Sequence, residues 1–177
     1  MASPDGDTGY LVAGKLSHGC SDLSTAWPHG GTGLGLVGAV FLSPPGLTAR
    51  LAAEETNSAA EVLHLGGDLF VGLTARGWDN DALAALFGST ALSNGARLVS
   101  FPATAGVPVT TLTNVVFTPE NPDHPGFVVY KVAPVLDLNA QLYFQAARYL
   151  EVPAVLVALP DASDRLGKLG KFSELTL

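Results

Sequence analysis

Short apolar runs closed by turn residues recur along this chain, and in places apolar and polar residues alternate with period two, which together are the signature of strands. Leu34 to Leu42 is an apolar run that ends at Ser43-Pro44-Pro45-Gly46, so it reads as a strand followed by a turn. Thr48–Glu55 fits either a strand or a short helix and is assigned as strand. Glu61–Leu65 and Leu69–Arg76 form two further strands, with Gly66-Gly67-Asp68 as the hairpin turn between them. Thr111–Thr118 and Phe127–Val132 flank the dense turn Asn121–Gly126. Val152–Leu159 is a last strand, closed by Pro160-Asp161. From Leu136 to Gln145 the alternation is strict, although a helix over Asn139–Leu150 competes with it. The clearest helix is Asp79–Phe87. Asp79 is its N-cap, Asp81 lies in its first turn, Leu83, Leu86 and Phe87 share a face, and Gly88 is its stop.

The segment from Ser89 to Val109 is punctuated by Gly, Pro and Thr, with one possible strand at Arg97–Phe101. Residues 1–29 carry Gly, Ser, Asp and Pro around the short apolar stretch Tyr10–Ala13, so they are expected to form an extended arm. Residues 30–177 are expected to form a single β domain. Met1–Asp5 has no basic start and no apolar core, so a secretory leader is not expected. No apolar run reaches the ~18 residues of a spanning helix. The abundance of Gly and Pro (20 and 12 residues) favours short elements joined by turns over a helix bundle.

Charge is what changes the picture. Only 14% of the 177 residues are Asp, Glu, Lys or Arg, against about 25% in an ordinary soluble domain. A compact monomer of this size exposes roughly 8,100 Å², which leaves about one charge per 320 Å². A surface so sparsely charged is expected to face other protein. The net charge of -7 argues against a phosphate-gripping function, because duplex DNA is held by Lys and Arg that displace counterions. The densest basic cluster, Arg165, Lys168 and Lys171, reads as a solvated C-terminal turn.

Candidate chemistry is thin. Gly30-Gly31-Thr32-Gly33-Leu34-Gly35 has the look of a phosphate loop. It lacks a preceding strand, a following helix and a nearby Lys, so it reads as backbone packed closely on a neighbour. Cys20 is the only cysteine, which excludes an internal disulfide. With His18 or His29 it forms the one candidate nucleophile–base pair, that of a small cysteine hydrolase, but an extended chain turns His18 and Cys20 to opposite faces. The histidines His18, His29, His64 and His124 sit at no metal-ligand spacing. Glu54 and Glu55 are adjacent and diverge on a strand. Asp161 and Asp164 read as turn caps, and Trp78 as an anchor for the helix. No catalytic, cofactor or metal residues are assigned.

Three segments in this order resemble the tail tube proteins of long-tailed bacteriophages. The first is Leu63-His64-Leu65-Gly66-Gly67-Asp68-Leu69-Phe70-Val71-Gly72-Leu73 running into Trp78–Phe87. The second is Phe127–Val132 entering Ala133-Pro134-Val135, and the third is Val152–Leu159 ending in Pro160-Asp161. The matches cover residues 30–161 loosely, and the arm 1–29 matches nothing in that family. The resemblance implies a mainly β fold, a β-sandwich or partial barrel with one short helix. It further implies homo-hexameric rings stacked into a tube, with tape-measure, terminator and baseplate-type proteins as partners. Double-stranded DNA would pass through the lumen without specific binding, and no membrane would be involved. The chain would reside in the virion tail after synthesis in the host cytoplasm. Ring-forming terminator or neck proteins and secretion-type inner tube proteins share this architecture.

Overall fold

The computed structural model of the chain describes residues 14–34, 36–43, 47–52, 59–76, 82, 85–86, 111–135 and 151–177. The described part is mainly β. Its strands are β1 (Gly14–His18), β2 (Thr32–Gly33), β3 (Leu36–Ser43), β4 (Leu47–Ala52), β5 (Ala59–Gly66), β6 (Phe70–Arg76), β7 (Leu112–Pro119), β8 (Pro125–Val135), β9 (Glu151–Ala158) and β10 (Gly167–Lys171). Most strands expected from the alternation are present within a few residues of their predicted bounds. Of the expected helix, Ala82, Ala85 and Leu86 are described; they are helical and buried, at the spacing of one helix face. The Arg97–Phe101 strand, the Leu136–Gln145 alternation, Trp78 and Glu54–Glu55 lie outside the described residues.

Eight strands form one open antiparallel sheet, in the order β2-β1-β7-β8-β9-β6-β3, with β10 added beside β8. The longest strand, β8, organises it. One side of β8 pairs with β7; the other is shared by β10, beside Pro125–Val129, and β9, beside Val132–Val135. Between β9 and β10 the chain leaves the ladder at Leu159, whose N–H donates to the Lys131 carbonyl at 2.8 Å. It rejoins at Leu166, whose carbonyl accepts from Tyr130 at 3.1 Å. Asp161 closes this excursion, its Oδ1 accepting from the N–H groups of Ser163 and Arg165 at 2.8 Å each. Asp161 therefore caps the turn as its residue type suggests.

Two local expectations are corrected. Gly66-Gly67-Asp68 does not join a hairpin. β5 pairs with β4 in a separate two-stranded sheet, whereas β6 pairs with β3 and β9. Three residues separate Ser43 from Leu47, and three separate Gly66 from Phe70, so the ladder resumes in the register it left. The segment is thus an interruption in a long ribbon running from Leu36 to Arg76. Strong turn residues there mark a bend, with Gly67 at φ 145°, and not a reversal. Likewise Lys168 and Lys171 lie on strand β10 and not in a solvated turn, because the side of β8 not reached by β9 offers them a ladder.

The sheet buries side chains on both faces. Leu16, Leu34, Val71, Leu73, Leu86, Val115, Val129 and Leu156 belong to the larger core, joined by half-buried Val40 and Leu42 of β3. On the opposite face Cys20, Val116, Val128 and Tyr130 form a smaller core, roofed by Leu23, Phe172, Leu175 and Leu177. Val128 and Tyr130 alternate with Phe127 and Val129 along β8, which is why one strand feeds both cores. Residues 14–18, part of the stretch expected as an arm, supply a strand between β7 and β2, and Leu16 is fully buried.

Candidate functional site

Three features carry the chemistry that the described residues display: the loop after β1, the basic cluster beside Tyr130, and the free edges of the sheet.

The loop 19–31 is built by local hydrogen bonds. The Gly19 N–H donates to the Thr113 carbonyl at 2.6 Å, and the N–H groups of Ser21 and Asp22 both donate to the His29 carbonyl, at 2.9 and 3.3 Å. The Asp22 carboxylate accepts from the Ser24 N–H at 2.9 Å and from its hydroxyl at 2.8 Å, which lowers the Asp22 pKa. From β7, Asn114 donates its amide to the Cys20 carbonyl at 2.8 Å; its φ of 45° is a conformation Asn tolerates better than most residues. The loop is thereby fastened to the sheet at both Thr113 and Asn114.

Cys20 and His29 are both buried here but serve different contacts. The Cys20 Sγ lies 3.2 Å from the Ser17 hydroxyl and donates to the Pro28 carbonyl at 3.5 Å. Burial pushes this thiol up, only partly opposed by the Ser17 contact. A reactive thiol needs the opposite shift. His29 Nδ1 donates to the Thr25 carbonyl at 2.8 Å, and Nε2 pairs with the Thr118 hydroxyl at 2.8 Å. Both ring nitrogens of His29 are thus engaged away from the thiol. His18 is half-buried, and burial lowers its pKa. Among the described residues neither imidazole shares a hydrogen bond with Cys20. Sequence reasoning placed these three residues together; the structure assigns Cys20 and His29 to fastening the loop.

The glycine-rich segment is packed tightly, but within its own chain. A Cβ on Gly31 would collide with the His18 carbonyl, and one on Gly33 with the Trp27 ring. Strands β2 and β3 follow, with no helix to face a phosphate. Among the described residues no group of three or more His, Cys, Asp or Glu is placed to hold a metal ion. No helix there is long and apolar enough to cross a membrane.

The second feature was not legible as a unit. Tyr130 lies under two cations, with the Arg165 guanidinium 4.4 Å and the Lys168 ammonium 5.8 Å from its ring centroid. Among the described residues its buried hydroxyl has no hydrogen-bond partner. Arg165 grips Asp161 through Nε at 3.1 Å and Nη2 at 2.7 Å, holding that carboxyl down to about 2 and raising its own pKa. Lys168 donates to the Thr176 carbonyl and hydroxyl at 3.0 and 2.8 Å. Lys171 pairs with Asp123 at 2.8 Å. Lys168 therefore pins the last residues over the smaller core, while Arg165 and Lys171 are each paired with a carboxylate, and the cluster does not form an anion site. A cavity of about 260 Å³ lies at the seam between Ser21–Ser24 and Leu175–Leu177.

The third feature is the edges. Among the described residues β3 pairs with β6 on one side only. Its eight residues, Leu36-Val37-Gly38-Ala39-Val40-Phe41-Leu42-Ser43, include no charge and no proline, the usual guards of an exposed edge. Phe41 is 58% exposed and lies across Gly72, where any Cβ would strike its ring. Among the described residues β10 pairs only with β8. The flanking bonds Tyr130 to Leu166 and Phe172 to His124 turn the backbone of Lys168 and Gly170 toward β8. The N–H and C=O of Gly167, Leu169 and Lys171 therefore face outward. Leu169 is 67% exposed.

Comparison with known proteins found no matching family model and no matching curated sequence.

Proposed function

We propose that this chain is a structural subunit of a phage-type tail tube, whose rings of six copies stack into a hollow conduit for DNA. The observation that carries this reading is the unguarded edge of β3. Among the described residues the outer edge of this eight-residue apolar strand is unpaired, and such an edge is an aggregation template in a monomer and a ready-made joint in an assembly. Three independent features support it: the low charge content, the exposed Phe41 and Leu169, and the order of segments resembling tail tube proteins. Edge pairing between copies would extend the open sheet toward the sandwich or partial barrel of such subunits. Closure into a ring removes every free edge at once. The net charge of -7 suits a wall that DNA must slide past, since a surface rich in Lys and Arg would hold it. In this reading the chain works in the virion tail alongside tape-measure, terminator and baseplate-type proteins. Its chemistry is assembly and not catalysis.

The test is electron microscopy and sedimentation of the purified chain over rising concentration. Rings, or tubes that lengthen without limit, are the expected result. Growth that stops at one ring assigns the chain to a terminator role instead. A chain that stays monomeric at high concentration overturns the proposal.

A further inference from the structure

The smaller core has two covers, and they are held unequally. The loop 19–31, which brings Leu23, is rooted in β7: Gly19 bonds Thr113, Asn114 bonds the Cys20 carbonyl, and His29 reaches Thr118. The other cover is the segment Phe172–Leu177, which lays Phe172, Leu175 and Leu177 on Cys20, Val116, Val128 and Tyr130. Those three side chains are only half-buried, and Ser173, Glu174 and Thr176 between them are exposed.

Few bonds tie this segment down. Among the described residues two backbone bonds join it to the body of the chain: the Phe172 N–H donates to the His124 carbonyl at 3.1 Å, and the Ser173 N–H to the Pro122 carbonyl at 3.0 Å. Both acceptors lie in the turn Asn121–His124, where Asn121, Pro122 and Asp123 are exposed. After the short 3-10 turn Phe172–Glu174 the backbone is extended, with φ -75° and ψ 145° at Leu175. There the tip is held by Lys168, which donates to the Thr176 carbonyl at 3.0 Å and hydroxyl at 2.8 Å. The cavity of about 260 Å³ runs between this tip and Ser21–Ser24, so the two covers do not interlock at their seam.

We infer that Phe172–Leu177 is a latched strap: it opens as a unit about Lys171–Phe172 while the sheet stays folded, and Lys168 is its latch. Opening uncovers the face of Val116, Val128 and Cys20. The polar groups it releases all meet water, so opening costs chiefly the apolar contacts of three half-buried side chains. Segments with few buried apolar contacts and exposed backbone bonds are the ones that open below the global unfolding free energy. β10 itself stays in place, because Gly167 to Lys171 pair with β8. That ladder anchors the latch, whose ammonium crosses the Tyr130 ring at 5.8 Å from its centroid on the way to Thr176. The strap is a device of the single chain and stands apart from the assembly reading above.

The native reporter is Cys20, the only thiol of the chain, buried in the core that the strap covers. The experiment labels it in dilute full-length protein with an aromatic disulfide reagent across rising urea, while circular dichroism follows global unfolding. The expected result is labelling through a local opening, with a urea slope under about a third of the global one, because only the strap exposes new surface. Lys168→Met keeps the stem on Tyr130 and removes the donors to Thr176. It should speed labelling about threefold to tenfold and leave the urea midpoint unchanged. Leu156→Ala, in the larger core, should do the reverse, lowering the midpoint and leaving the labelling rate in water unchanged. Should Lys168→Met misfold, Thr176→Val at an exposed position removes one acceptor and should speed labelling about twofold to threefold. Labelling that follows the global unfolding slope overturns the strap. A local slope with unchanged rates in the latch variants overturns the role of Lys168.

Discussion

Leu16 decides whether β1 belongs to the folded sheet or is a detachable arm. It is fully buried in the larger core, on a strand that pairs with β7 through Gly14 to Ser17. Leu16→Ala removes three carbons from that site. At about 0.8 kcal/mol per buried methylene the transfer loss alone is ~2.4 kcal/mol. The cavity left behind carries the total toward about 3 to 5 kcal/mol, because a close-packed sheet relaxes only in part. With a urea m-value of about 2 kcal/mol/M, the midpoint should fall by roughly 1.5 M or more at unchanged slope. Measurement by circular dichroism at low protein concentration keeps self-association out of the result. The matched control is Leu169→Ala, where a side chain 67% exposed should cost under about 0.5 kcal/mol. If Leu16→Ala unfolds within that same margin, β1 is not part of the cooperative sheet. The assignment of residues 14–18 to the core would then be refuted.

Tyr130→Phe removes a buried hydroxyl without a partner and keeps the ring under Arg165 and Lys168. It should leave stability unchanged or raise it by up to about 1 kcal/mol, read as a higher unfolding temperature; a clear loss would mean the hydroxyl has a partner. His18 is held below its ordinary pKa by burial, so folding favours its neutral form. Its contribution is present above the unfolded value near 6.5 and declines as pH falls toward the lowered folded value. His18→Asn should therefore flatten the stability profile below pH 6.5, and an unchanged acid slope between pH 7 and 5 would contradict that burial.

The difference between what was legible and what was not follows the nature of each interaction. Apolar runs bounded by turn residues located β3, β6, β7, β8 and β9, with Leu69, Val71 and Leu73 alternating along β6 as a strand requires. The helix was expected from its capping residues and apolar spacing, with Leu83, Leu86 and Phe87 as its face; of these Leu86 is helical and buried, and Leu83 and Phe87 lie outside the described residues. In the candidate sites, the sequence brought Cys20, His18 and His29 to notice as reactive types. It did not show that Cys20 bonds Ser17 and that His29 reaches Thr118, a residue 89 positions away. Residue type reveals what a side chain can do; its partner is set by where the chain returns.

Pairing was the part the sequence left open. Backbone N–H and C=O groups are the same at every non-proline residue, so a strand's pattern says little about which neighbour it takes. That is why Gly66-Gly67-Asp68 reads as a hairpin turn while the structure pairs β5 with β4 and β6 with β3 and β9. It is also why Lys168 and Lys171, in a segment with little apolar patterning, form a strand once β8 offers an unpaired side. By itself the sequence determined a strand-rich chain with too little charge for an ordinary free surface. Only the tertiary structure decided which strands were left with open edges. An edge is defined by the absence of a neighbour, which no local pattern encodes.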